Sequence, residues 1–211
     1  MELILFGGAE IGQGQVRAEL KLIEKEIKRI RPKQVLHVPF ARIIASEKEW
    51  SGDWFKKYMH IPGITYLNAA KKSDIARARS PLIFVSGGSQ HVNLIKKVRA
   101  SRRLLSLIKK ADYYIGESAG SMFTGEYFRS GGADGPRRIL PGLGILKKTF
   151  IIPHYTERKL QTVLKECMNQ TKAKIGIGID CVTAIELDTS TFPKKYSTFG
   201  LGKVKIIKSK Q

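Results

Sequence analysis

Cysteine is scarce in this chain: Cys167 and Cys181 are the only two among 211 residues. With no C-x-x-C spacing and no histidine or carboxylate at a fixed ligand interval, the sequence excludes a disulfide scaffold and a zinc finger, and no metal or other cofactor is expected. Proline is also sparse, with 8 residues, while hydrophobic residues make up 42%. That balance excludes a disordered or collagen-like chain. No apolar run approaches the roughly 20 residues of a membrane-spanning helix, so no membrane partner is expected. The first residues, Met1 to Phe6, lack the basic flank and long apolar stretch of a signal peptide, and a cytoplasmic location with reduced cysteines is the expectation. Acidic residues are in deficit: 18 Asp plus Glu stand against 38 Lys plus Arg, a formal charge of +20.

What is present is the composition of a globular protein long enough to bury about 70% of its unfolded surface, and residues 1–211 read as one domain. Apolar runs alternate with amphipathic ones. Leu3 to Phe6 reads as a strand and Val16 to Ile30 as a helix, with Val16, Leu20, Ile23, Ile27 and Ile30 at helical spacing. Val35 to Val38, Ile64 to Leu67, Leu82 to Val85, Tyr113 to Ile115 and Phe150 to Ile152 read as further strands. Helices are expected over Glu47 to Tyr58, Asp74 to Arg79, Ser89 to Lys110 with a break near Ser101, Ala119 to Tyr127, and Glu157 to Met168. Short strands near Ile175 to Ile179, Val182 to Glu186, Ser197 to Phe199 and Val204 to Ile207 finish the chain. Continuous apolar strands separated by helices imply a doubly wound α/β fold on a mostly parallel sheet, with an antiparallel element at the C-terminal end. Functional groups then belong at the carboxyl ends of the strands. Arg129 to Leu146 is the one long irregular segment, and loops of that length are usually functional.

The most informative segment is Tyr113-Tyr-Ile-Gly116-Glu117-Ser118-Ala119-Gly120-Ser121. A strand running into small residues and then a helix, with serine at the corner, is the arrangement of a nucleophile elbow. The Ala119 N–H at the following helix start is placed to hold a developing oxyanion. An ordinary βα turn with a helix-capping serine fits the same letters. A second segment, Phe84-Val85-Ser86-Gly87-Gly88-Ser89-Gln90, ends a strand in a glycine pair; Gly88 is the candidate second oxyanion donor, and Gln90 is placed to reach a substrate. No Lys-Ser/Thr pair follows, and Gly8, Gly12 and Gly14 do not fit G-x-G-x-x-G, so nucleotide binding is not expected. Of four histidines, only His154 directly follows a strand where a general base is wanted. His37 lies within an apolar strand and reads as a core histidine.

Together these segments resemble the serine peptidase family that contains aspartyl dipeptidase (dipeptidase E) and cyanophycinase. The matching pieces are Val38-Pro39-Phe40-Ala41, Gly87 to Gln90, Gly116 to Ser121, Gly142-Leu143-Gly144-Ile145-Leu146, His154 with Arg158, and Gly176 to Ile185, in that order along the chain. The resemblance implies a flavodoxin-like or class I glutamine amidotransferase-like sheet, with Ser118 as nucleophile, His154 as base, and Gly88 and Ala119 as oxyanion donors. It also implies Asp134 near the substrate's amino group, with Gln90 and Arg158 as further substrate contacts. Glutamine amidotransferases themselves carry cysteine at the elbow, where this chain has Ser118. One position departs from the family: where it has a glutamate orienting the histidine, this chain has Cys181. A neutral thiol is a weak acceptor and cannot stabilise an imidazolium. Three outcomes stay open: Asp180 or Glu186 supplies the third member, Ser118 and His154 act as a dyad, or activity is lost. Strand alternation puts Asp180 and Cys181 on opposite faces.

Lys96, Lys97, Arg99, Arg102, Arg103, Lys109 and Lys110 occur without an acid between His91 and Ala111, and six lysines follow Asp188. A solvated helix face, with Ile95, Val98, Leu105 and Ile108 buried behind it, accounts for the first run. Steering of acidic substrates is a second use of the charge. The sequence thus reads as a serine-type peptidase of the dipeptidase E and cyanophycinase kind, hydrolysing short aspartyl peptides. The alternative is a catalytically impaired relative that binds an anionic partner, either nucleic acid or an acidic polymer.

Overall fold

The computed structural model describes residues 1–10, 13–42, 59–131 and 135–209; the helix expected over Glu47 to Tyr58 lies outside them. In chain order the elements are β1 (Glu2–Phe6), α1 (Val16–Ile30), β2 (Gln34–Val38), β3 (Thr65–Asn68), α2 (Lys72–Arg77), β4 (Leu82–Val85), α3 (His91–Ala100), α4 (Arg102–Lys109), β5 (Tyr113–Glu117) and α5 (Ala119–Phe123). They continue with β6 (Gly125–Arg129), β7 (Ile139–Pro141), β8 (Leu146–Pro153), α6 (Gln161–Thr171), β9 (Ile175–Ile179), β10 (Thr183–Asp188), β11 (Ser197–Gly200) and β12 (Val204–Lys208). None of the described helices is long and apolar enough to cross a membrane.

Unbroken apolar strands need cover on both faces, and the larger sheet receives it. Its seven strands run β11-β10-β1-β5-β4-β2-β3. The five from β1 to β3 are parallel, and β10 and β11 add the antiparallel C-terminal element. Successive residues of β1 go to opposite faces. Leu3 and Leu5 pack in one cluster with Val85, Tyr114, Phe123 and Ile177, while Ile4 and Phe6 pack with Ile23 and Ile27 of α1. Each such side chain, fully buried, contributes about 1.5–3 kcal/mol. The fold is α/β of the flavodoxin-like class.

A second sheet, of five strands ordered β12-β9-β8-β6-β7, was not apparent in the sequence pattern. Its inner strands β6, β8 and β9 are parallel, and β8 buries Phe150 and Ile152 against Leu164 and Met168 of α6. Sequence periodicity extends the helix after the elbow to Tyr127, yet α5 ends at Phe123 and β6 begins at Gly125. Tyr127 and Phe128 favour a pleated surface, and Phe128 meets Phe123 edge to face with centroids 6.2 Å apart. Within the long irregular segment, β7 pairs antiparallel with β6. The helical stretch from Ser89 does break at Ser101, whose side chain caps α4 by accepting from the Leu104 N–H. That break resets the helical phase, so Leu104 is buried and Leu105 only partly so.

Candidate active site

The elbow is held by sterics and by buried hydrogen bonds. Ser118 sits at φ 49°, ψ −103°, between β5 and α5. A non-glycine residue there costs about 1–3 kcal/mol and persists only where its surroundings fix it. Its neighbours allow nothing larger: a Cβ on Gly120 would lie 2.1 Å from the Val85 carbonyl oxygen, and one on Gly116 would lie 2.8 Å from the Gly120 backbone. The Tyr114 hydroxyl donates to the Gly120 carbonyl at 2.7 Å, and the buried Ser121 hydroxyl lies 2.7 Å from the Phe6 carbonyl and 2.8 Å from that of Gly116.

His154 follows β8, itself at φ 51°. Its ring is buried, and Nε2 lies 3.0 Å from Ser118 Oγ. The meeting of these two residues, one from each sheet, is set by the chain that leaves β1. The Phe6 carbonyl accepts the Ser118 N–H at 3.0 Å, the Gly7 carbonyl accepts the His154 N–H at 3.0 Å, and the Gly8 carbonyl accepts the Val182 N–H at 2.9 Å. Gly8 has φ +90°, and a Cβ there would fall 2.6 Å from His154 Nε2 and 2.9 Å from Ser118 Cβ, so only glycine fits beneath the pair.

The other ring nitrogen, Nδ1, has two neighbours. Cys181 Sγ lies at 3.1 Å and Glu10 Oε1 at 3.0 Å. Burial and the nearby Glu157, Glu10 and Glu19 carboxylates push the Cys181 thiol up, so it is neutral at ordinary pH. Glu10 is the reverse: the Arg158 guanidinium donates from Nε at 2.6 Å and holds the carboxyl below its usual range. Burial, reinforced by Arg158 and opposed by Glu10, lowers His154 to about 4. The ring is therefore neutral at pH 7, with its strongest Nδ1 partner the Glu10 carboxylate.

Neither acid considered for the third position reaches the ring. Asp180 accepts the Thr156 N–H at 3.0 Å through Oδ1 and the Lys203 N–H at 2.9 Å through Oδ2, which ties the turns after β8 and before β12. Glu186 pairs with Arg29 and accepts from the Ser197 hydroxyl at 3.3 Å. Glu10 takes the place sought for them; it lies four residues beyond the end of β1, in a loop with no local motif to mark it. Arg158, expected on the substrate, engages Glu10 here.

Gly88 lies in the turn between β4 and α3, where the Gln90 N–H donates to the Ala41 carbonyl at 2.8 Å. The preceding Gly87 N–H donates at 3.0 Å to Glu117, whose carboxylate also pairs with Arg42 at 3.2 Å. Ala119 is the first residue of α5. Asp134 lies outside the described residues. His37 is the core histidine expected, with Nε2 2.9 Å from Ser86 Oγ and its ring stacked on Phe84.

Comparison with known proteins agrees with this architecture. A peptidase from an acI-B1 actinobacterium superposes with a TM-score of 0.64 at 21% identity, covering 98% of this chain and 90% of that one. A Listeria monocytogenes EGD-e protein assigned to peptidase E gives 0.60 at 17% identity, covering 95% and 98% respectively. No curated protein sequence matches significantly. The sequence profile of peptidase family S51 matches residues 3–194. With nearly its whole length inside that profile, the chain belongs to peptidase family S51 and is a hydrolase of the serine peptidase class.

Proposed function

We propose that this single α/β domain cleaves short peptides with aspartate at or beside the scissile bond, through an acyl-enzyme on Ser118. The observation that carries the reading is the 3.0 Å contact between Ser118 Oγ and His154 Nε2 at a sterically locked elbow. In the first step Oγ attacks the peptide carbonyl while Nε2 takes its proton. The resulting oxyanion faces the Ala119 and Gly88 N–H groups, whose fixed dipoles favour it over the neutral carbonyl. The imidazolium keeps its Nδ1 proton toward Glu10, which shares its charge, and Nε2 then protonates the leaving amine. Water repeats the sequence on the acyl-enzyme, and Ser118 recovers its proton. Glu10 and Arg158 are positioning residues, acting through His154. Gln90 and Asp134 are assigned to substrate contact, and the aspartyl preference is supported by the family resemblance and by the +20 charge.

The reading is tested by intact mass after treatment with a fluorophosphonate, alongside hydrolysis of Asp-Xaa and Ala-Xaa dipeptides. One adduct is expected on the native chain and none on Ser118→Ala or His154→Ala, with Asp-Xaa cleaved faster. Absence of an adduct in the folded native protein would defeat the mechanism; equal cleavage of both dipeptides would defeat only the specificity.

A further inference from the structure

We propose that Glu10, His154 and Cys181 form a binding site for one borderline-soft divalent cation of the zinc class, and that filling it switches the serine off. The second half rests on the Ser118–His154 reading above; the first does not. Three donor atoms converge from three separate strand ends, after β1, β8 and β9, and lie within 4.8 Å of one another. They surround a single N–H. Nδ1 has one proton, yet Oε1 stands 3.0 Å and Sγ 3.1 Å from it. One proton cannot make a full bond to both, whereas a cation bonds fully to all three.

The dimensions suit zinc. Bonds of about 2.3 Å to sulfur and about 2.0–2.2 Å to nitrogen and oxygen put tetrahedral ligands roughly 3.3–3.6 Å apart. The two contacts to Nδ1 need only lengthen by a few tenths of an ångström, and the Glu10 and Cys181 donor atoms already lie within 4.8 Å of each other. Glu10, with its side chain 27% exposed, leaves a fourth position for water on the solvent side, and Arg158 can keep the carboxylate through Oε2. The thiolate selects a softer ion than a glutamate at this position would. On binding, the cation displaces the thiol proton to solvent, and the Nδ1 proton moves to Nε2 so that the ring remains neutral. Nε2 then points a proton at Ser118 Oγ and cannot accept one. Inhibition follows from the position of that one proton.

Cobalt(II), added to the chelator-treated full chain, is the direct probe. One equivalent is expected to give a thiolate-to-cobalt charge-transfer band and the intense visible bands of four-coordinate cobalt, with zinc displacing it. Cys181→Ser must lose the charge-transfer band, and Cys167→Ser must keep it. Zinc is expected to slow fluorophosphonate labelling of the native chain at least tenfold, reversed by chelator. No thiolate band in the folded native chain, or a band that survives Cys181→Ser, overturns the site. Should Cys181→Ser fail to fold, Glu10→Gln decides: cobalt affinity must fall at least tenfold, and an unchanged affinity overturns the assignment. A metal-free chain that binds cobalt but takes no fluorophosphonate would retain the metal site and reject the serine mechanism. Normal labelling unaffected by bound zinc would reject the switch.

Discussion

A carboxylate and a thiol both reach Nδ1 of His154, but only the carboxylate can share the charge that the proposed proton transfer from Ser118 places there. Glu10→Gln keeps the shape and removes that charge. In chelator, it is expected to lower kcat on the order of 10³-fold with KM little changed, read from steady-state kinetics. The double variant Glu10→Gln, Cys181→Glu returns a carboxylate to the same nitrogen from the other side, and recovery of at least tenfold would show that the charge and not its sequence position matters. The proton balance also sets the pH response. His154 must be neutral to act as base, and burial holds it down at about 4. Metal-free activity is therefore full at neutral pH and lost as pH falls through about 4, well below the ordinary histidine value of about 6.5; a pH profile of kcat/KM checks this. Between those two values the unfolded chain takes a proton that the folded one refuses, so stability declines as pH drops across the same window. The strand-end positions of Ser118 and His154, which lie in contact, were legible in the sequence because each is announced by its own local motif. Glu10 was not, because its role exists only where the loop after β1 meets the ends of β8 and β9.

Elements are where packing, not chemistry, makes the demand. The turn from β5 into α5 passes so close to β4 that a methyl group at position 120 would collide with the Val85 carbonyl. Gly120→Ala is expected to cost about 3 kcal/mol, measured by urea denaturation, with labelling of Ser118 reduced in whatever fraction remains folded. Parallel strands and their helices were readable because long apolar runs and a 3.6-residue period are strong signals. The smaller sheet was harder to see. Strand β7 has only three residues, too few to establish a period, and β6 follows α5 after the single residue Thr124, so its start merges with the helical pattern. β6 is paired by β8, on the far side of the irregular segment, and β7 in turn by β6.

At the scale of the whole molecule, the charge is spread over exposed faces such as that of α3 and α4, where Lys96, Lys97, Arg102 and Lys109 face solvent. Part of that basic run has structural work: Arg103 donates to the carbonyls of Ile75, Ala76 and Ala78, and Arg99 to those of Pro141 and Gly142. The remaining field attracts anions over a distance set by ionic strength. Cleavage of an aspartyl dipeptide is expected to lose several-fold in kcat/KM between low salt and about 0.5 M salt, while a neutral dipeptide changes little; equal responses would remove steering from the account. The larger frame has a simpler consequence. Three successive carbonyls, of Phe6, Gly7 and Gly8, each hold the backbone beside one corner of the site. The separation of those corners is copied from covalent bond lengths along a single stretch of chain, as a jig fixes the spacing of drilled holes. Thermal motion can break the jig, but it cannot detune it by degrees.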